Sequence, residues 1–224
     1  MSTLKLTVDS LNVRFVNGKK ETHAVRDVSF TLGREKLAIV GESGSGKSTV
    51  GRSLLKLHPG STQITAKALQ FGDVDLLSAS ERAMQKIRGQ RISMIMQDPK
   101  YSLNPVVKVG EQIAEAYLAH HKASRSEARE RVMLMLEKVH IRDPKRVYNL
   151  YPHEVSGGMG QRIMIAMMVI TNPEVIIADE PTSALDVTIQ SQILAELQPL
   201  CADTGTALVW ITHDLTVVAG LAQR

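Results

Sequence analysis

Short apolar runs alternate along this chain with stretches that have helical character. Residues 37–40 (LAIV) and 175–178 (VIIA) are continuously apolar, as expected of strands buried on both faces of a parallel sheet. Residues 207–212 have the pattern of a third such strand, and residues 25–30 and 92–96 are also predicted strands. Strands alternating with helices predict an α/β fold built on a parallel sheet.

Two helix starts are indicated by the spacing of polar residues. Ser78 precedes Glu81 by three positions, as Ser124 precedes Glu127. This spacing is typical of capping boxes, in which the two side chains bond each other's backbone N–H groups. Gly89 is the expected end of the first helix.

The second predicted helix places Val132, Leu136 and Val139 on one face, and Pro173 is expected to close a later helix that follows Ser156. Between about residues 99 and 154 the strand signal is weak. We therefore expect this segment to be a mostly helical insert carried on the α/β core.

Composition is ordinary for a globular protein. The 224 residues are 43% hydrophobic and 22% charged, with a net charge of +4 spread along the chain, so charge does not argue for nucleic acid. The start of the chain lacks the layout of a signal peptide. The longest apolar run, residues 163–170, is too short to span a bilayer. In a membrane process this chain would therefore dock onto a partner that spans the membrane.

The most informative motif is GESGSGKST at residues 41–49, which follows an apolar strand directly. It fits the phosphate-loop pattern G-x-x-x-x-G-K-[ST] in the strand-to-helix context that the motif requires. Successive backbone N–H groups and the helix N-terminus then face phosphate oxygens. Lys47 is expected to contact the β- and γ-phosphates, and Ser48 to ligate Mg²⁺. The predicted ATP-binding residues of the loop are Gly41, Ser43, Gly44, Ser45, Gly46, Lys47, Ser48 and Thr49.

An acidic pair, Asp179 and Glu180, follows the apolar run at residues 175–178. Acids at the carboxyl end of a parallel strand lie at the edge of the sheet where phosphate loops also lie. Asp179 is expected to hold Mg²⁺ through water. Glu180 is expected to orient or deprotonate the attacking water.

Six motifs together resemble those of the ATP-binding-cassette (ABC) ATPases. Beside the phosphate loop and the acidic pair, residues 155–159 (VSGGM) are similar to the LSGGQ signature and residues 183–186 (SALD) to the D-loop. Gln97 looks like the Q-loop glutamine, and His213 like the switch histidine. The motifs occur in the family's order, and the resemblance covers essentially the whole chain.

The resemblance implies roles for these residues. Glu180, His213 and Gln97 would be catalytic, and Gln97 would join Ser48 and Asp179 at Mg²⁺. Phe15 falls where the family places an aromatic ring that stacks on adenine, although a core aromatic is the rival interpretation. The implied signature residues, which would contact an ATP held by the partner, are Ser156, Gly157, Gly158 and Met159. The implied D-loop residues are Ser183, Ala184, Leu185 and Asp186.

The architecture implied is a RecA-like phosphate-loop core with an inserted α-helical subdomain. The core would comprise residues 1–96 and 166–224, and the helical subdomain residues 97–165. Two such subunits would pack head to tail around two ATP molecules. The chain stops soon after His213, whereas relatives usually continue, so the usual C-terminal end of the fold is expected to be missing.

Further residues resemble the ATPases of oligopeptide, dipeptide and nickel importers. They are MQDP at 96–99, SLNP at 102–105, YPHE at 151–154, and GGM followed by QR within 157–162. Met159 matches the first of two paralogous ATPases. The resemblance therefore implies a heterodimer with a sister ATPase on the cytoplasmic face of the membrane. Two permease subunits and, indirectly, an extracytoplasmic solute-binding protein would complete the assembly, without nucleic acid.

One departure and three alternatives remain open. Gly160 stands where the family usually has arginine, which removes a charge near the implied ATP and puts turnover in question. The cargo is predicted to be peptide, with nickel as the alternative. A regulatory module that binds nucleotide without hydrolysis is a remote alternative, and an ABC ATPase acting on DNA or ribosomes is another.

Overall fold

The computed structural model describes residues 5–18, 20–96, 102–181, 195, 197–199, 201–202, 204–215 and 218. The chain divides into two compact units, Met1–Arg88 with Ala207–Arg224 and Gly89–Thr206. The helices and strands, in chain order, are β1 (Leu6–Asn17), β2 (Lys20–Leu32), β3 (Lys36–Val40), α1 (Lys47–Leu54), β4 (Thr62–Thr65), β5 (Ala68–Phe71), β6 (Val74–Asp75), α2 (Glu81–Gln85), β7 (Ile92–Ile95), α3 (Val109–Leu118), α4 (Arg125–Lys138), α5 (Pro144–Tyr148), a 3₁₀ helix (Pro152–Glu154), α6 (Gly157–Val169), β8 (Val175–Asp179) and β9 (Ala207–Thr212).

An antiparallel sheet makes up much of the first unit. Its strand order is β2-β1-β5-β6, and β4 also pairs with β1. Leu6, Leu11 and Leu32 of this sheet are fully buried. Only residues 25–30 of this sheet were predicted as strand. Strands β4, β5 and β6 have two to four residues each and are too short for a periodic pattern, but β1 was missed although it has 12 residues.

The first unit also contains a parallel pair, β3 with β9, in which Val40 lies opposite Thr212. This confirms two of the predicted parallel strands. The expectation that residues 37–40 are buried on both faces is wrong, because Val40 is 39% exposed whereas Leu37 is buried. Val40 is the last residue of β3, directly before the phosphate loop, and only Leu37 of this strand is buried, whereas all six residues of β9 are buried.

The predicted start and end of the helix after residue 78 are wrong. Helix α2 begins after Ser80, whose Oγ accepts from Ala83 N, and ends at Gln85. Ser78 instead donates its hydroxyl proton to the Asp75 carboxylate at 2.7 Å. Glu81 forms an ion pair with Arg88. Both side chains of the predicted capping box are therefore committed to other partners.

The second unit contains the parallel pair β7 and β8 together with helices α3 to α6. No strand occurs in described residues 102–154, so the predicted helical insert is confirmed as helical. The predicted capping box of α4 is present, with Ser124 and Glu127 each bonding the other's backbone. Val132, Leu136 and Val139 are fully buried, as their spacing predicts.

Strands β7 and β8 belong to the same compact unit as the helices. The sequence-based boundaries of the core, 1–96 and 166–224, and of the helical subdomain, 97–165, stay a prediction. Across the described residues, no helix is both long enough and apolar enough to cross a membrane.

Candidate nucleotide-binding site

The phosphate loop leaves the carboxyl end of a parallel strand pair. Gly41 follows Val40 in β3, and His213 follows Thr212 in β9, and these two strand ends lie opposite each other in the register. His213 is exposed. The pairing therefore brings the phosphate loop and the predicted switch histidine to the same edge of the first unit.

Gly46 is required by the backbone conformation and by packing. Its φ of +96° is rarely adopted by residues with a side chain. A Cβ at this position would also lie 2.4 Å from the carbonyl oxygen of Ala24 in β2. The loop therefore passes so close to β2 that only glycine fits at the start of α1.

Lys47 holds the loop curled around its own side chain. Its Nζ donates to the carbonyl oxygens of Gly41 and Glu42, both at 2.7 Å, and the residue is only 6% exposed. Ser45 N also donates to Glu42 O at 3.2 Å. These bonds place a full positive charge inside the curve of the loop.

Helix α1 begins without a capping side chain. Its N-cap is Gly46, which forms no side-chain cap hydrogen bond, and the first turn contains no acidic residue. The first backbone N–H groups of a helix have no intrahelical acceptor and carry a partial positive charge. This end of α1 is therefore suited to an anion such as a phosphate group.

Phe15 lies in β1, where it pairs with Thr22 of β2 and Thr62 of β4. The residue is half-buried. Its ring contacts the imidazole of His58 edge to face, with ring centroids 5.6 Å apart and planes at 76°. Phe15 is thus neither a core residue nor fully exposed, and the first unit holds it together with the phosphate loop and His213.

The acidic pair lies in the second unit, at the end of β8. Asp179 is 3% exposed, whereas Glu180 is half-buried and has a φ of +44°. A positive φ is uncommon for a residue with a side chain and persists only where the surrounding structure imposes it. The strand end therefore turns sharply at the residue that was predicted to activate water.

The predicted signature segment forms the start of α6 in the same unit. Ser156 is the N-cap, and its Oγ accepts from Met159 N at 3.4 Å. A Cβ on Gly157 would meet nothing within 4 Å. Gly160 is buried and its N–H bonds Ser156 O at 2.8 Å, so the helix continues without interruption through the departure from the family pattern.

Gln161 makes a contact that the sequence analysis did not predict. Its side chain is 1% exposed and its Nε2 donates to the carbonyl oxygen of Pro181, the residue after Glu180. A glutamine among the apolar residues of α6 was the available signal, because buried amides need partners. This bond ties the signature helix to the backbone beside Glu180.

The remaining predicted site residues lie outside the described residues. They are Gln97 and the D-loop residues Ser183, Ala184, Leu185 and Asp186. Their predicted roles stay predictions.

Comparison with known proteins identifies the family. The family model described as ABC transporter matches residues 25–183, which is more than half of the chain. The chain belongs to the ABC transporter family. This confirms the family that the six motifs predicted.

Two curated relatives are similar over almost the whole chain. The probable peptide ABC transporter ATP-binding protein y4tR of Sinorhizobium fredii is 51% identical, covering 99% of this chain and 67% of the relative. The oligopeptide transport ATP-binding protein OppD of Bacillus subtilis is 47% identical, covering 99% of this chain and 63% of the relative. The chain thus spans about two thirds of the length of these members of the ABC transporter family.

A solved ABC structure has the same fold. The dimeric structure of a post-hydrolysis state of the ATP-binding cassette MJ0796, bound to ADP and Pi, superposes with a TM-score of 0.84. It is 26% identical, and the match covers 95% of this chain and 89% of that chain. The predicted fold class, an α/β ABC ATPase fold, is therefore confirmed.

Proposed function

We propose that this chain binds MgATP and hydrolyses it to power an ABC importer, as one half of an ATP-sandwich dimer. The observation that carries the proposal is the phosphate loop, in which Lys47 lies at the centre of a curl that ends at an uncapped helix start. A lysine charge next to the N–H groups of a helix N-terminus is complementary to a triphosphate.

The loop residues have separate tasks in this proposal. Lys47 exchanges its bonds to the loop carbonyls for the β- and γ-phosphates, and the backbone of Gly41, Ser43, Gly44, Ser45, Gly46 and Thr49 surrounds the phosphate oxygens. Phe15 stacks on the adenine ring, since any base presents a face to an aromatic side chain. His213 contacts the γ-phosphate from the edge where β9 ends.

The residues assigned to Mg²⁺ fit a hard cation that prefers oxygen ligands. Ser48 offers a hydroxyl in the first turn of α1, and Asp179 offers a buried carboxylate at the end of β8. Gln97 is the third proposed ligand, and Asp179 acts through water. When bound, the ion would neutralise charge that develops on the phosphate oxygens.

Glu180 is the proposed general base. A carboxylate that accepts a proton from water must lie within hydrogen-bonding reach of it. The positive φ at Glu180 directs the chain sharply away from β8 at this residue, and Gln161 holds the next carbonyl. Both features support a fixed position for the carboxylate.

The signature segment is proposed to bind the ATP held by the partner subunit. Ser156, Gly158 and Met159 flank Gly157 at the N-terminus of α6, where the helix dipole favours a phosphate. The open space beside Gly157 leaves room for an approaching ligand. The D-loop, residues 183–186, is proposed to lie at the same dimer interface.

The importer is proposed to carry peptides. The similar proteins y4tR and OppD are named for peptide and oligopeptide transport, which supports peptide over nickel. The proposed assembly is a heterodimer with a paralogous ATPase on the cytoplasmic face of the membrane, below two permease subunits, with a solute-binding protein outside.

Steady-state ATP hydrolysis by the full assembly tests this function. Lys47→Ala should abolish turnover by weakening triphosphate binding. Glu180→Gln should retain ATP and accumulate a closed dimer, detected by size-exclusion chromatography, because the phosphate ligands remain while the base is gone. Activity of Glu180→Gln equal to the wild type would remove Glu180 from the role of base. Wild-type turnover no higher than that of Lys47→Ala would favour the regulatory, non-hydrolysing alternative.

A further inference from the structure

The contact between Phe15 and His58 joins two parts of the first unit that the sequence keeps apart. Phe15 belongs to β1, and His58 lies in the loop between α1 and β4. Their rings meet edge to face at 5.6 Å, a geometry in which the positive edge of one ring faces the negative face of the other. None of the nucleotide-binding motifs includes His58.

The His58 ring also forms a hydrogen bond with a residue of α1. Ser53, fully buried near the end of that helix, donates its only hydroxyl proton to Thr49 O at 2.7 Å. The Nε2 atom of His58 lies 2.9 Å from the same hydroxyl oxygen. With the Ser53 proton donated to Thr49 O, this contact is satisfied by the His58 tautomer that carries a proton on Nε2 and donates it to Ser53 Oγ.

The loop that contains His58 is fixed at both ends. Leu57 N bonds Arg52 O at 3.0 Å, and Thr62 N bonds Pro59 O at 2.9 Å. Thr62 then pairs with Phe15 in the antiparallel ladder of β4 and β1. His58 therefore has little freedom to move away from the Phe15 ring.

We propose that His58 is a positioning residue that fixes the Phe15 ring relative to α1, and hence relative to the phosphate loop at the start of that helix. The chain of contacts runs from Phe15 through His58 and Ser53 to Thr49 at the end of the loop. It sets the separation between the ring that stacks on the base and the site that holds the triphosphate. This inference rests on the proposed stacking of Phe15 on adenine.

His58 should therefore affect only the part of the affinity for ATP that comes from the adenine base. His58→Ala should weaken ATP binding roughly two- to tenfold, the range expected from loss of an edge-to-face ring contact. Binding of inorganic tripolyphosphate, which has no base, should be unchanged. Both dissociation constants can be measured by isothermal titration calorimetry on the assembled protein in the presence of Mg²⁺.

The double variant tests the coupling directly. Phe15→Ala with His58→Ala should bind ATP no more weakly than Phe15→Ala alone, because His58 acts through the ring. His58→Phe keeps an aromatic edge but loses the bond to Ser53, and it should show an intermediate loss. His121→Ala is the matched control, since that histidine stacks on Tyr117 in the second unit, and it should leave both affinities unchanged.

The outcomes separate the inference from the function on which it rests. If Phe15→Ala weakens ATP binding and His58→Ala does not, the positioning role is wrong and base stacking stands. If neither variant changes ATP affinity, the stacking role of Phe15 fails and the inference fails with it. If His58→Ala weakens tripolyphosphate binding as much as ATP binding, His58 supports the whole unit and the proposal is overturned.

Discussion

The phosphate loop and the signature segment are both glycine-containing helix starts, and their glycines differ in what surrounds them. At Gly46 the backbone has a positive φ, and a Cβ would lie 2.4 Å from Ala24 O. At Gly157 a Cβ would meet nothing within 4 Å, and Ser156 supplies a side-chain cap that α1 lacks.

Gly46 is therefore required by the fold of this chain, whereas the fold gives no reason for a glycine at position 157. The neighbours of Gly46 within the unit exclude any side chain, so the glycine is needed to fold the loop. Among the described residues of the second unit, none excludes a side chain at Gly157. The proposed reason for glycine there is a ligand brought by a partner subunit.

The largest effect should come from Gly157→Ala, and it should fall on activity rather than stability. A methyl group between the helix start and the partner's ATP would displace the triphosphate by about 1 Å, and such misplacement can cost about 10²-fold in rate. Stability should stay the same or rise by up to about 1 kcal/mol, because alanine favours helix. ATPase rates and urea unfolding measure the two effects. Wild-type turnover would contradict a cross-dimer role for this segment.

In contrast to Gly157→Ala, the effect of Gly46→Ala should fall on stability. The positive φ alone costs about 1–3 kcal/mol for a residue with a side chain, and the approach to Ala24 O adds to it. Gly44→Ala is the control, since Gly44 has a φ of +79° but nothing within 4 Å of a Cβ. Chemical denaturation should show a larger loss for Gly46→Ala. An equal loss in both variants would mean that β2 yields to the added methyl group.

Gln161→Leu should lower both stability and activity. It leaves a buried carbonyl without its donor, which costs about 1–3 kcal/mol, and it frees the backbone beside Glu180, so kcat should fall while the KM for ATP is retained. Thr171→Val is the control because it removes a part-buried hydrogen bond, to Gly89 O, just after the C-terminal end of the same helix, α6. That variant should lose stability but keep kcat. A kcat of Gln161→Leu equal to the control's would make this bond purely structural.

The smallest expected effect is that of His58 on the pH dependence of stability. Burial lowers the pKa of His58 from its ordinary 6.5, a backbone bond with Thr49 opposes this, and the charge of Arg52 lowers it further. As pH falls below 6.5, the unfolded chain takes up the proton before the folded chain does, so stability declines toward the lowered pKa. His58→Gln should reduce this decline in thermal unfolding between about pH 8 and pH 5. Since the pKa of His120 is also lowered by burial, only the difference between the two proteins is informative.

The spacing of polar residues predicted the helix start correctly where no other group competed for the same side chains. The Ser124–Glu127 capping box formed because both partners are within one turn of each other and exposed. The similar pair Ser78 and Glu81 failed because Asp75 and Arg88 offered stronger partners. A spacing rule identifies candidates for a hydrogen bond, and competition among them depends on the surrounding structure.

By itself, the sequence determined the family, the parallel strands with their phosphate loop and acidic pair, and the helical segment between them, because those features depend on residues close together in the chain. Only the tertiary structure decided that Gly46 is enclosed by β2, that Gln161 holds the carbonyl after Glu180, and that His58 joins Phe15 to α1. Each of these contacts links residues at least 20 positions apart, and no periodicity or motif encodes which distant side chain arrives at a given position.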